Sequence, residues 1–195
     1  MNKDLEIIFY VFAIIPFLTG VFCLIKLPKS LNKESKQYNP STPILVLFLL
    51  TLSILMILVT NQKYEKTVSV AFLLSCGLFS LSLSIYELIL IHICTEKITA
   101  ELTKTQHIYK SRSYRCYFKF RYEGKEYETQ AQQFIPYKYI KNHSEYRAKC
   151  EIYIHPEIPQ LHIIQRKITP FCITELITGV FLILMGIFVF IILYI

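Results

Sequence analysis

Four long apolar runs constrain this chain more strongly than any other feature of its sequence. They cover residues 5–25, 43–60, 68–94 and 173–195. An α-helix rises about 1.5 Å per residue, so about 20 apolar residues cross a hydrocarbon core that is about 30 Å thick. Charged residues make up 18% of the chain, and most of them lie between the runs. This segregation predicts four transmembrane helices.

The first run is predicted to be a retained span and not a cleaved signal peptide. Acidic Asp4 and Glu6 accompany Lys3 at its start, and Phe22 precedes Cys23 at its end. A signal peptide instead begins with basic residues and ends at a cleavage site made of small residues.

Small residues within the third and fourth runs predict where helices pack closely. Cys76, Ser80 and Ser84 recur every four residues, and Gly179 and Gly186 lie seven residues apart. Each spacing places its residues on one face of a helix. Because transmembrane helices approach one another through small residues, both faces are predicted packing surfaces.

The distribution of Lys and Arg predicts the orientation of the spans. Four spans put both termini on one side of the membrane and segments 26–42 and 95–170 on the other. The side with these two segments carries 18 of the 21 Lys and Arg residues, and the other side carries Lys3, Lys63 and Lys66. Cytoplasmic loops are rich in Lys and Arg. We therefore predict a multi-pass protein of a bacterial inner (plasma) membrane, with its termini outside.

Residues 96–168, inserted between the third and fourth spans, are predicted to form a soluble, cytosolic, β-rich domain. Residue types alternate with a period of two from Tyr114 to Tyr122, which is typical of a strand. One face of this strand would carry Tyr114, Cys116, Phe118, Phe120 and Tyr122. The other face would carry Arg115, Tyr117, Lys119 and Arg121.

The remainder of this domain is predicted from turns and shorter alternating segments. Glu123-Gly124 predicts a β-turn, so the strand would return as a hairpin over 126–131. Further strands are predicted over 98–105, 150–154 and 161–164, with a loop or short helix over 134–147. The predicted fold class is therefore an α+β membrane protein: four transmembrane helices and a small all-β domain, a barrel or sandwich of about five strands.

Two segments of this domain carry a resemblance to a known family. Tyr-Glu-Gly-Lys-Glu-Tyr at 122–127 and Ile-Tyr-Ile-His-Pro-Glu-Ile-Pro at 152–159, followed by a closing apolar helix, resemble the domain of unknown function 3592 family. The resemblance covers roughly residues 95–195. His155 stands where that family more often has Asp or Asn, and Ile158 stands where it has Asn. The resemblance implies a membrane-tethered β-domain and no particular reaction.

Two acidic residues lie inside the apolar runs. Glu87 is a candidate functional residue, because an ionisable group at the membrane centre costs about 2.5–3.5 kcal/mol on insertion scales. The alternative is that the long third helix carries Glu87 and His92 to the headgroup region. Glu175 is predicted to lie in the first turn of the fourth helix, where it would meet the positive end of the helix dipole.

The sequence predicts no catalytic residue, no cofactor and no metal site, so we do not expect an enzyme. It contains no Cys-x-x-Cys pair, no two histidines four residues apart, no Gly-x-Ser-x-Gly elbow and no phosphate loop. Folding could bring His155 and His162 together, but proline-rich turns do so without a metal. Cys116 and Cys150 would pair only in an oxidising compartment, and in the cytosol we expect free, buried thiols.

The face formed by Arg115, Tyr117, Lys119 and Arg121 is the second candidate functional feature. Such a basic, aromatic face could bind RNA, but we favour contact with anionic headgroups or plain exposure to solvent, because the domain is tethered at both ends. The expected partners are the lipid bilayer and either a protein or a second copy of the chain. We do not expect a nucleic acid partner.

Three functions remain open from the sequence. The first is a non-enzymatic membrane protein whose cytosolic β-domain mediates interaction or assembly. The second is an immunity-type protein that protects against a toxin acting at the membrane, for which the size of the chain is suitable. The third is a small transporter or channel component that uses Glu87, and it would need to form oligomers to line a pore.

Overall fold

A computed structural model of the protein describes residues 3–32, 39–59, 64–107, 113–133, 135–136 and 149–194. Lys63, which enters the charge comparison, lies outside the described residues. Most of the segment 134–147 also lies outside them. Within that segment the structure has a short strand at Ile135–Pro136, where the sequence predicted a loop or helix.

The described part of the chain is α+β, as predicted, with four helices and one antiparallel sheet. The helices are α1 (Lys3–Leu31), α2 (Thr42–Leu58), α3 (Glu65–Ile93) and α4 (Pro170–Tyr194). The strands are β1 (Glu96–His107), β2 (Ser113–Tyr122), β3 (Lys125–Gln130), β4 (Ile135–Pro136), β5 (Lys149–Ile154) and β6 (His162–Ile163).

Two of these helices are long and apolar enough to cross a membrane. They are the segment Lys66–Ile93 of α3 and the whole of α4. Two further apolar helical segments, Phe12–Pro28 and Thr42–Leu58, are shorter, with 10–17 residues each.

The chain divides into two compact units, and three of the four boundaries between them fall inside helices. The first unit comprises Met1–Leu27, Ser41–Ile85 and Cys172–Ile195, and the second comprises Pro28–Pro40 and Tyr86–Phe171. The first unit therefore holds most of the helices. The second holds the sheet together with the last turns of α3.

In the helical unit, α3 and α4 run antiparallel and touch through glycines. A Cβ atom on Gly179 would lie 2.9 Å from the carbonyl oxygen of Gly77, and a Cβ on Gly77 would lie 2.9 Å from that of Gly179. Nearer the start of α4, Ser84 Oγ donates to Cys172 O at 3.0 Å. Both predicted packing faces are thus used, since Ser80, Ser84, Gly179 and Gly186 are buried, although Cys76 is only half-buried.

In the second unit the sheet has the strand order β3-β2-β1-β5-β6, and the short β4 pairs with β2. A register shift in β1 between Leu102 and Lys104 marks a bulge, which bends a strand. The sheet curls into a half-barrel. The two edge strands are linked where Gln132 N, just after β3, donates to His162 O in β6 at 3.1 Å.

The apolar core of the second unit fills the concave side of the sheet. The alternation predicted for β2 is confirmed, because Cys116, Phe118 and Phe120 are buried while the intervening residues are not. Leu90 of α3 and Cys94, just after this helix, pack with Leu161 and with Ile163 of β6 in a second buried cluster. The end of α3 is thereby packed against the edge of the sheet.

The predicted hairpin between β2 and β3 is also confirmed. Tyr122 pairs with Lys125, so the loop consists of two residues. Glu123 has φ 48° and Gly124 has φ 79°. Positive φ at both central positions is the type I′ turn that the right-handed twist of a hairpin favours.

Candidate functional site

The four candidate residues of β2 lie together on the outer face of the sheet. Arg115, Lys119 and Arg121 are exposed, and Tyr117 is half-buried. They share this face because successive side chains of a strand point to opposite sides, and the alternate side chains fill the core. The structure therefore brings these four predicted residues together in one row.

Acidic residues of the neighbouring strands neutralise one half of this row. Lys119 stands opposite Glu101 of β1 and Glu128 of β3, and its Nζ lies 3.2 Å from Glu126 Oε2. Arg121 stands opposite Glu126. Cross-strand pairs of opposite charge each contribute roughly 0.2–1 kcal/mol. The pattern of β2 alone could not show this, because the acids come from β1 and β3.

The other half of the row retains its positive charge around a fixed aromatic ring. Tyr117 Oη donates to Gln130 Oε1 at 3.2 Å, and Lys104 Nζ lies 5.7 Å from the centroid of the Tyr117 ring. That distance is within the range of a cation–π contact. Arg115 stands opposite the neutral Gln106 of β1. This end of the face presents two cations flanking a tyrosine.

Glu87 is buried and holds the segment that leads into α4. Its side chain is 8% exposed. Its Oε1 accepts the backbone N–H of Thr169 at 3.3 Å, and its Oε2 accepts the Thr169 hydroxyl at 3.0 Å. A buried carboxylate is tolerated where such hydrogen bonds replace those of water. Both oxygens of Glu87 therefore serve a structural contact between the two helix ends.

The prediction that Glu175 lies in the first turn of α4 is wrong. The helix begins at Pro170, so its first turn ends before Glu175 and contains no acidic residue. The pair Thr169-Pro170 carries a start signal that the sequence analysis missed. Threonine suits the position before a helix, and proline suits the first helical position, because its missing N–H has no partner there.

His162 is fully buried at the centre of the sheet domain. Its Nδ1 lies 3.1 Å from Gln160 O and 3.2 Å from Thr129 Oγ1, whereas its Nε2 has no hydrogen-bond partner among the described residues. The rings of Phe118 and Phe120 surround it, with centroids 5.8 and 5.7 Å away. Burial lowers the pKa of His162 from 6.5 to about 4, although the hydrogen bond to Gln160 opposes this shift.

Structural positions are also occupied by three further residues of this unit: His155, Cys116 and Cys150. His155 Nδ1 accepts the backbone N–H groups of Glu157 and Ile158 and so forms the turn after β5. Cys116 and Cys150 are buried and are not joined by a disulfide. Burial, with a smaller contribution from Cys150, raises the pKa of Cys116 to about 12, so it has little nucleophilic thiolate. Among the described residues, no three His, Cys, Asp or Glu side chains cluster in a way that could hold a metal ion.

Gln133 is a structural residue that no pattern in the sequence singled out. It is 4% exposed. Its Oε1 accepts the backbone N–H groups of Ile164 and Gln165 at 3.2 and 3.3 Å, and its Nε2 donates to Gln165 O at 3.1 Å. The strand predicted over 161–164 consequently ends at Ile163, because Gln133 takes the backbone groups that would continue the ladder.

Comparison of the chain with family models, with curated proteins and with solved structures finds no match. The resemblance to the domain of unknown function 3592 family therefore stays a prediction. The residues of the chain itself carry the functional argument.

Proposed function

We propose that this chain is a non-enzymatic, multi-pass protein of the plasma membrane whose cytosolic β-domain is a module for interaction or assembly. The observation that carries the proposal is the insertion of a folded sheet between two helices, α3 and α4, each long and apolar enough to cross a membrane. Such a domain is tethered to the bilayer at both ends. It would present the same surface of its sheet to every partner that approaches along the membrane.

The exposed surface of α4 supports a membrane location. Its buried residues within the described chain are Cys172, Gly179 and Gly186, so only one narrow stripe of the helix is covered. Ile177, Leu184 and other large apolar side chains elsewhere on α4 are exposed. Soluble proteins rarely expose large contiguous apolar patches, whereas lipid is a suitable solvent for such a surface.

The complete topology of four spans is part of the proposal. Consecutive helices contact one another in the helical unit. Gly20 of α1 lies against Leu50 of α2, and the ring of Phe48 in α2 stacks on that of Phe79 in α3 with centroids 4.1 Å apart. The excess of Lys and Arg in 26–42 and 95–170 favours the cytosol for the β-domain.

The outer face of β2 is the surface that we assign to a protein partner or a second copy. Its mixture of cations, acids and the Tyr117 ring resembles a protein interface more than a nucleic acid site, because nucleic acid binding favours uniformly basic surfaces. Glu87 does not favour the transport hypothesis, because both of its carboxylate oxygens are occupied by Thr169.

Photo-crosslinking in intact membranes tests this assignment. With p-benzoylphenylalanine at Arg115, Lys119 or Arg121 of the full chain, we expect one shared adduct, with the mass of either a second copy or a single defined protein. Glu157, exposed on the turn after β5, is the matched control position and should not form that adduct. Adducts with lipid alone, or the same adducts at Glu157, would contradict an interaction role for this face.

A further inference from the structure

A polar groove with a volume of about 510 Å³ lies beside β5 in the second unit. One wall is strand β5, with Lys149, Glu151 and Tyr153, and the other is the segment after β6, with Gln165, Arg166 and Lys167. Cys150 and Ile164 of the apolar core also line it, whereas the outer face of β2 and Glu87 do not contribute to it. It is therefore a separate feature of the domain.

The groove exists because the chain leaves β5 after only two paired positions. Tyr153 pairs with Ile163 and Ile154 with His162, and continuing this ladder would place Gln165 opposite Glu151. Gln133 prevents this by binding the backbone of Gln165 through two hydrogen bonds, at 3.3 and 3.1 Å. The buried side chain of Gln133 thus fixes the separation of the two walls.

The lining of the groove is cationic. Lys149, Arg166 and Lys167 are exposed at its walls. Among the described residues that line it, the one acidic side chain is Glu151, which is already engaged because its Oε2 lies 2.7 Å from Lys97 Nζ. Arg166 is oriented by donating its Nε to Ile91 O in the last turn of α3, at 3.2 Å. An arginine held in this way keeps the other N–H groups of its guanidinium for a second acceptor.

The position of these cations in the chain relates the groove to a membrane surface. Lys167 is three residues before Pro170, where the apolar α4 begins. A chain spans at most about 3.6 Å per residue, so Lys167 lies within about 11 Å of the start of α4. If α4 spans the bilayer, as proposed above, Lys167 lies near the level of the headgroup phosphates.

We propose that this groove binds the phosphate of an anionic phospholipid headgroup. Arg166 and the two lysines supply the positive charge and the N–H donors that phosphate oxygens require. Basic pockets beside membrane spans bind anionic headgroups for the same reason, and each Lys or Arg near such a surface contributes about 1 kcal/mol. The inference rests on the proposed membrane location but not on the proposed protein partner.

Native mass spectrometry of the full chain in neutral detergent, titrated with phosphatidic acid, phosphatidylglycerol or phosphatidylcholine, tests this proposal. We expect one tightly bound anionic lipid and no comparable phosphatidylcholine. The variant K149Q/K167Q should bind that lipid at least about tenfold more weakly. The matched control K66Q/K125Q removes two exposed lysines from outside the groove and outside the basic face of β2, and it should bind as the wild type does. Arg166 stays intact because of its contact with Ile91.

Three results would overturn the proposal: equal binding of the neutral lipid, equal losses in the two double variants, or displacement of the bound lipid by millimolar inorganic phosphate or by an acidic peptide. A failure of the membrane proposal itself would look different. If the chain is not a membrane protein, alkaline extraction without detergent would release it from the membrane fraction. If only the groove proposal is wrong, the chain would stay in the membrane fraction but would show no lipid selectivity.

Discussion

Replacing Gly179 with alanine is expected to destabilise the helical unit strongly, whereas the same replacement at Gly186 should have little effect. The new Cβ at position 179 would lie 2.9 Å from Gly77 O and 2.9 Å from Leu81 N, so it would meet the backbone of α3. At position 186 its nearest neighbour would be Leu74 Cδ2, also at 2.9 Å, but that atom ends a flexible side chain. Both replacements therefore add the same methyl group, but at position 179 backbone atoms must move and at position 186 only a side chain must move.

The expected changes in stability differ clearly between G179A and G186A. Overpacking typically costs about 1–3 kcal/mol, while alanine gains about 0.5–1 kcal/mol over glycine within a helix. At Gly186 a rotation of Leu74 should let the gain offset the cost. At Gly179 neither backbone can retreat without separating α3 from α4, so we expect a net loss of about 2 kcal/mol.

Titration of the full chain in mixed micelles with increasing denaturing detergent measures this loss through the unfolding midpoint. G77A should behave as G179A does, because its Cβ would lie 2.9 Å from Gly179 O. The double variant G77A/G179A should cost less than the sum of the single variants, since the first replacement already separates the helices. Equal midpoints for G179A and G186A would show that α3 and α4 do not touch at this crossing.

Acid is expected to loosen the β-domain, through His162. The pKa of this histidine is 6.5 in an unfolded chain and about 4 in the folded core, where burial disfavours the charged ring. Between these two values the unfolded state binds more protons than the folded state. Stability is therefore complete above about pH 6.5, falls as the pH decreases toward 4, and levels off below that. The slope approaches about 1.4 kcal/mol per pH unit, and the total is about 3 kcal/mol.

Hydrogen exchange of the full chain, followed by mass spectrometry, measures this effect in the peptide that contains Phe118 and Phe120. After correction for the intrinsic exchange rate, protection should fall up to about tenfold per pH unit between pH 6 and 4. H162L removes the titrating ring, so its profile should be flatter by that amount. H155N removes a different imidazole but leaves an acceptor for the turn, and it should retain the wild-type slope. Parallel profiles for the wild type and H162L would contradict this account of His162.

Features with a strong local signature were predictable from the sequence. Strand β2 was recognisable from the alternation of its own residues, and the turn was recognisable from Glu123-Gly124. The hairpin and its buried face could therefore be predicted from residues that are neighbours in the sequence. The helices followed in the same way, because an apolar run long enough to span a bilayer is itself a local pattern.

Features that depend on distant partners were not predictable. Glu87 could not be assigned a role, because its partner Thr169 is 82 residues away. The basic face of β2 looked uniform because the acids beside Lys119 belong to other strands. The groove beside β5 depends on Gln133, a polar residue in an irregular segment with no periodic pattern around it.

Cysteine labelling of intact cells tests most directly the central claim that the β-domain is inserted between membrane spans on the cytosolic side. Single replacements K63C and K125C would be exposed to a membrane-impermeant maleimide, with the unaltered chain as the blank, because its cysteines are buried or half-buried. The account predicts labelling of K63C in intact cells and of K125C only after permeabilisation. Labelling of K125C in intact cells would reverse the orientation, and labelling of both positions from one side would contradict the four-span arrangement.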